Sequence, residues 1–280
     1  MTTTTLFNRV LRRRRRDRAA NGYAAHDFLR TLMLEGIADR LAMVKRQFHD
    51  VLDLGSFDGA FVPPAGARVA RLDAGYGFAH RSGGIQADED RVPFADAAFD
   101  LIISAGVLDT IDDLPGALTL TRRMLRPDGL FLAAFAGGET LSTLRAVLLA
   151  AEAERPAARI HPRIDVRSAG DLLVRAGFAL PVADLETIEV GYSNLARLLG
   201  DLRGMAATSL LTETSPLART TLARAETLFG QHAGPNGRTV ERFDIIFLTG
   251  WAPAPSQPKP AARGSGTSSL ADALRPRAPR

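Results

Sequence analysis

Short apolar runs, each ending at an acid or a turn, punctuate the first half of the chain: Val51–Leu54, Val69–Leu72, Leu101–Ser104 and Leu130–Phe135. Helical patterns separate the later ones, most clearly over Leu114–Leu125. The RPDG stretch, Arg126–Gly129, is a turn signal directly before the Leu130 run. Strands alternating with helices predict an α/β domain with a doubly wound, mostly parallel sheet. Upstream, Phe28, Leu32, Ile37, Leu41 and Val44 recur at helical spacing, with Asp27 placed as the cap. After Gly138, helices are predicted over Thr140–Glu154 and Ser168–Ala176. The second has Ser168 as its cap, Asp171 at the third position and Gly177 as its left-handed stop. Late strands are expected at Thr187–Val190 and Phe243–Thr249, with a helical insertion over about 194–229 between them.

Composition divides the chain further. Residues 1–25 read as a basic arm, helical around Leu11–Ala20, residues 26–251 as the domain, and residues 252–280, rich in Pro, Ala, Gly and Ser, as a disordered tail. The net charge of +4 therefore hides a division. Both ends are basic and the body between them is acidic, so the high isoelectric point says little about a nucleic-acid face. The arginine run Arg12–Arg16 has no interleaved aromatic on which bases would stack, and no nucleic-acid partner is expected. It reads as a solvated helix, or as a docking arm for a partner. There is no cysteine, which excludes disulfides, thiolate metal sites and cysteine nucleophiles together. The five histidines are scattered, with no pair at helical spacing, so no metal site is expected. No apolar run reaches the roughly 18 residues of a membrane span. The Arg-rich start fits a mitochondrial presequence; the Arg- and Ala-heavy composition throughout favours a bacterial, cytoplasmic protein.

The candidate chemistry sits at the strand ends. In DVLDLGSFDGAF, residues 50–61, a buried-looking strand runs into Asp53, Gly55, Ser56 and Gly59. Glycines in such a loop let the backbone approach a ligand. Twenty residues on, Asp73 ends the next strand, where a carboxylate can accept both hydroxyls of a ribose. Asp88 and Glu89 then offer acidic contacts near an adenine, and Ser104 ends the fourth strand.

This order resembles the class I S-adenosylmethionine-dependent methyltransferases, most specifically over Pro93–Phe135. A closer resemblance runs through TLFNRVLRRRRRDRAA (5–20), HDFLR (26–30), IADRL (37–41), GGETLSTLR (137–145), LLVRAGF (172–178), LLGDLRGMAATS (198–209) and the stretch 250–270. It is to the methyltransferase-like assembly factors of respiratory complex I, implicated in hydroxylating an arginine of a complex I subunit. The malonyl-acyl-carrier-protein methyltransferases of biotin synthesis are more distantly similar. The resemblance implies a seven-stranded sheet with an antiparallel last strand, S-adenosylmethionine as cofactor and a complex I subunit as the protein partner. It assigns no catalytic residue.

The sequence departs from the family at four places. Phe57 stands where the glycine loop has its middle glycine. Pro63 and Pro64 leave room for only about one helical turn after that loop, which weakens an anion-attracting helix N-terminus. AGYGFAHRSGG, 74–84, is a poor helix former. Asp109–Thr110 replaces the usual His–Trp. Together these changes point to altered or lost cofactor binding, and leave open a catalytically degenerate assembly or binding factor.

Overall fold

Seven strands form one sheet: β1 (Asp50–Leu54), β2 (Arg68–Asp73), β3 (Ile85–Gln86), β4 (Phe99–Ala105), β5 (Leu125–Gly137), β6 (Ala179–Tyr192) and β7 (Thr239–Trp251). Their order is β3-β2-β1-β4-β5-β7-β6. The first five are mutually parallel, and β7 runs antiparallel to both its neighbours. This is the expected doubly wound architecture, and its strand order reverses between β1 and β4. The computed structural model describes residues 5–152, 156–213, 215–257 and 269.

Alternation along the strands sorts the core into two layers. Val51, Leu101, Ile103, Leu130 and Leu132 pack with Met33 and Ile37 of α2 (Phe28–Ala42) on one face. Leu52, Ile102, Phe131 and Ala133 face α4 (Leu114–Met124), α5 (Ser142–Ala151) and α6 (Val166–Arg175) on the other. Successive strand side chains must point to opposite faces, so a nearly all-apolar strand is the signature of a sheet covered on both sides.

Several local expectations shift. The RPDG turn is a bulge inside β5: pairing jumps from Phe99–Leu125 to Leu101–Leu130, and Asp128 takes φ +62°. α6 is capped by Asp165, which accepts from the Ser168 amide, so the helix starts earlier than Ser168. Gly177 does take the left-handed conformation, φ +83°. No helix forms between β1 and β2. The weak helix α3 (Tyr76–Ser82) forms for seven residues and is stopped by Gly83. The insertion contributes α7 (Leu195–Gly204) and α8 (Arg219–Gln231), and residues 205–213 and 215–218 between them are irregular. The predicted helix end at 153–154 and the tail from 258 onward, residue 269 apart, lie outside the described residues.

The basic lead-in departs most from a solvated arm. α1 (Arg9–Ala20), capped by Asn8, buries Arg12, Arg16, Ala19 and Ala20. Two glycines of the AGYG stretch make this possible. A Cβ on Gly75 would come within 2.6 Å of the Arg16 Cβ, and one on Gly77 within 3.0 Å of the Ala20 Cβ. The residues that make α3 a poor helix are those that let α1 lie against it.

Candidate active site

The carboxyl ends of β1, β2, β4 and β5 open onto one crevice, where a doubly wound sheet binds its ligand. Asp53, at the end of β1, is fully buried and neither of its oxygens has a hydrogen-bond partner. Arg30 of α2 faces it at 3.7 Å, too far for a hydrogen bond, and its Nε and Nη2 are also unpartnered. Burial outweighs the pull of Arg30 and pushes the Asp53 carboxyl up to about 6. Two opposite charges thus face each other without a hydrogen bond, each with unpartnered polar atoms.

Asp73, at the end of β2, is the opposite case. Its oxygens accept from the Phe57 amide at 2.9 Å and the Gly75 amide at 2.8 Å. They also accept from Nε of Arg16 at 2.8 Å and from its Nη2. Glu89 is gripped by Arg12 through bonds of 2.6 and 2.8 Å, while Arg12 Nε donates to Thr110 at 3.1 Å. Asp88 accepts from Arg13 at 2.7 Å and also pairs with Arg9. Every acid that the sequence places at the ribose or adenine is thus held by α1. Burial disfavours the Arg12 charge, but Glu89 more than offsets this and raises its pKa.

Gly55 and Gly59 both take positive φ, +85° and +80°. A Cβ at Gly55 would strike Val107 at 2.5 Å, so that glycine serves the turn into the next layer. Ser56 turns away and pairs with Ser82 at 2.9 Å. Ser104 is buried in β4 with its hydroxyl unpartnered. The site residues therefore separate: Asp53 behind Arg30, which lines the free space, Asp73, Asp88 and Glu89 under α1, Ser56 toward α3.

Phe57 points into the crevice. It takes φ +48°, is buried, and stacks on Tyr23 with ring centroids 5.0 Å apart. The Arg16 guanidinium lies 3.9 Å over its ring and that of Arg30 4.9 Å away. Beside Phe57 lies a cavity of about 70 Å³ lined by Tyr23, Arg30, Phe57, Gly106, Asp109, Thr140 and Arg163, among others. On its far side Arg163 donates to Asp109 and, at 3.3 Å, to the Ala136 carbonyl, leaving its buried Nε unpartnered. Sequence reasoning missed Arg30, Gly106 and Arg163. It also missed the role of Arg9, Arg12, Arg13 and Arg16, although their spacing puts them on one helix face opposite an acidic body.

Residues 52–133 match the family model described as a methyltransferase domain. The chain is 33% identical to the mitochondrial arginine-hydroxylase NDUFAF5 of Danio rerio, over 95% of this chain and 89% of that one. The chain belongs to the NDUFAF5 family of class I methyltransferases. It is also 32% identical to the malonyl-[acyl-carrier protein] O-methyltransferase of Methylovorus sp. (strain MP688), over 72% of this chain and 74% of that one. A methyltransferase-class protein of Bacillus halodurans shares the fold at a TM-score of 0.54 and 13% identity, covering 79% of this chain and 99% of that one. The first two relatives each match more of the chain than residues 52–133, the span of the methyltransferase domain model.

The superfamily to which the NDUFAF5 family belongs uses S-adenosylmethionine, and the crevice fits that molecule at one end. Asp53 and Arg30 suit an α-amino-acid group, one carboxylate facing an ammonium and one guanidinium facing a carboxylate. The nucleoside end does not fit in this conformation. Arg16 and Arg12 hold its carboxylates, and the cavity is well below the roughly 300 Å³ at which small-molecule sites begin.

Proposed function

We propose that this protein uses S-adenosylmethionine and modifies the arginine side chain of a protein subunit during assembly of respiratory complex I. One observation carries the reading. At the end of β5, beside the open cavity, a carboxylate and a backbone carbonyl already hold a guanidinium: Arg163 on Asp109 and Ala136. One guanidinium nitrogen, Nη1, meets two fixed acceptors there, a carboxylate and a carbonyl that an incoming arginine could also use. The name of the Danio rerio relative, an arginine hydroxylase, is consistent with that chemistry. A cytoplasmic, bacterial setting belongs to the same proposal and rests on composition.

A second reading, an assembly factor without catalysis, is favoured by the closed nucleoside end. The two separate in one experiment. The full chain is incubated with methyl-labelled S-adenosylmethionine and an arginine-bearing complex I subunit, and the subunit is analysed by peptide mass spectrometry. An arginine nitrogen that has exchanged a proton for the labelled methyl group supports the enzyme. Unmodified arginines, with the subunit nonetheless bound, support the assembly factor and overturn the first reading.

A further inference from the structure

Four arginines of one helix face occupy a row of carboxylates. Arg9 pairs with Asp90 and Asp88, Arg12 with Glu89, Arg13 with Asp88 and Arg16 with Asp73. Arg16 presents two neighbouring donors, Nε and Nη2, to the two oxygens of Asp73. A vicinal diol presents two donors to one carboxylate in the same way. Its guanidinium carbon also sits 3.9 Å from the centroid of an aromatic ring, Phe57, over the face where a ligand ring could lie. Arg16 thus copies the hydrogen bonding of a nucleoside and occupies that ring face.

We infer that α1 is a displaceable internal ligand of the nucleoside subsite, so that α1 and an S-adenosyl group exclude one another. The inference rests on reading the crevice as an S-adenosylmethionine site. It goes beyond that reading by assigning α1 the role of a gate. The way α1 is held supports displacement. The residues it buries are two arginines and two alanines, and Val10 is exposed, so polar contacts rather than an apolar stripe seat the helix. A ligand that donates to Asp73 and Glu89 replaces the Arg16 and Arg12 contacts in kind, so neither of those two carboxylates is left unpaired. Gly75 provides a means to loosen the gate without touching either set of charges. Its φ of −87° and ψ of 130° suit any residue, and the obstacle to a side chain there is the Arg16 Cβ.

The test measures binding of S-adenosylhomocysteine, which cannot react, to the full chain by calorimetry. Wild type, Gly75→Ala and the double variant Arg12→Gln/Arg16→Gln are compared, and amide exchange across α1 is followed in wild type with and without ligand. The gate predicts at least tenfold tighter binding in both variants. It also predicts faster exchange in α1 when ligand is bound, the reverse of ordinary ligand protection. Should wild type bind while both variants bind equally or more weakly, or should α1 become more protected, α1 is a cover over the ligand and the inference is overturned. No heat with any folded form at millimolar ligand overturns the cofactor reading and the gate with it, a pattern distinct from the previous one. If the double variant does not fold, Gly75→Ala and the wild-type exchange experiment still decide.

Discussion

Asp53 shows what burial does to a single group. Its carboxyl lies at about 6 because water has been removed and Arg30 is too far away to compensate fully. Between an ordinary aspartate value near 4 and about 6, the folded state binds more protons than the unfolded one, so this residue's contribution to stability falls as pH rises through that window. Above the window the buried charge is a standing cost. Asp53→Asn should therefore stabilise the protein at pH 8 by about 2 kcal/mol and leave it nearly unchanged at pH 4, read from urea unfolding at both values. A gain of equal size at both pH values would show that packing, not charge, is responsible. Phe57 poses a different trade. Its left-handed backbone costs about 1–2 kcal/mol, which glycine would relieve. Its ring fills the space among Tyr23, Phe78 and Arg16, and emptying that space costs about 3–5 kcal/mol. Phe57→Gly should thus lower stability by about 2 kcal/mol, and a variant as stable as wild type would mean the ring packs less well than its contacts imply.

At the scale of elements, the strands were legible because burial on both faces leaves an apolar run that little else produces. Their limits were not: β6 and β7 extend well past Thr187–Val190 and Phe243–Thr249, since β6 is the sheet's outer strand and its exposed Leu180, Val182 and Leu185 are interrupted by Pro181 and Asp184 rather than forming an apolar run. α1 was legible as a helix and illegible as part of the core. Arginine side chains are buried only when paired, and the pairing residues lie about 60 to 80 positions away in sequence, beyond the reach of any local pattern. The same distance hid the meaning of Gly75 and Gly77, which looked like defects in α3 and are the floor on which α1 rests. Gly75→Ala should destabilise the fold by about 1–3 kcal/mol, as an overpacked contact does, with Arg16 forced off Asp73. Chemical denaturation reads the loss. Adding Arg16→Ala should not restore it, because the Cβ that collides is kept, whereas Arg16→Gly should restore part.

At the scale of the molecule, the two ends of the chain's functional half meet over the crevice. The segment before α1 pairs with the segment after α7: the Asn8 amide donates to the Leu210 carbonyl at 2.7 Å and the Thr212 amide to the Leu6 carbonyl at 2.9 Å. Both Leu6 and Phe7 amides donate to Asp112 at 2.8 Å, in the loop leaving β4. Beneath them the His161 Nε2 accepts from the Leu210 amide at 2.6 Å, and the ring meets Phe7 edge-on with centroids 4.9 Å apart. Burial and the nearby Arg163 charge hold that imidazole at about 4, so it stays neutral and able to accept at neutral pH. An unfolded histidine protonates near 6.5, so this contribution to stability is lost as pH falls from there toward 4, opposing the slope from Asp53. These contacts tie α1, residues 5–8 and residues 205–212 into one lid, with His161 as a shared anchor. Removing the anchor should loosen both strands of the lid together and spare the sheet. His161→Phe keeps a ring for Phe7 but leaves the Leu210 amide without an acceptor, a cost of about 1–3 kcal/mol. Amide exchange at neutral pH should then show roughly ten- to hundredfold less protection at Leu210 and Thr212 and across α1, with β4 and β5 unchanged. Loss confined to Leu210 would mean that the lid is two independent pieces that happen to touch, and that the N-terminal helix is governed by its arginine pairs alone.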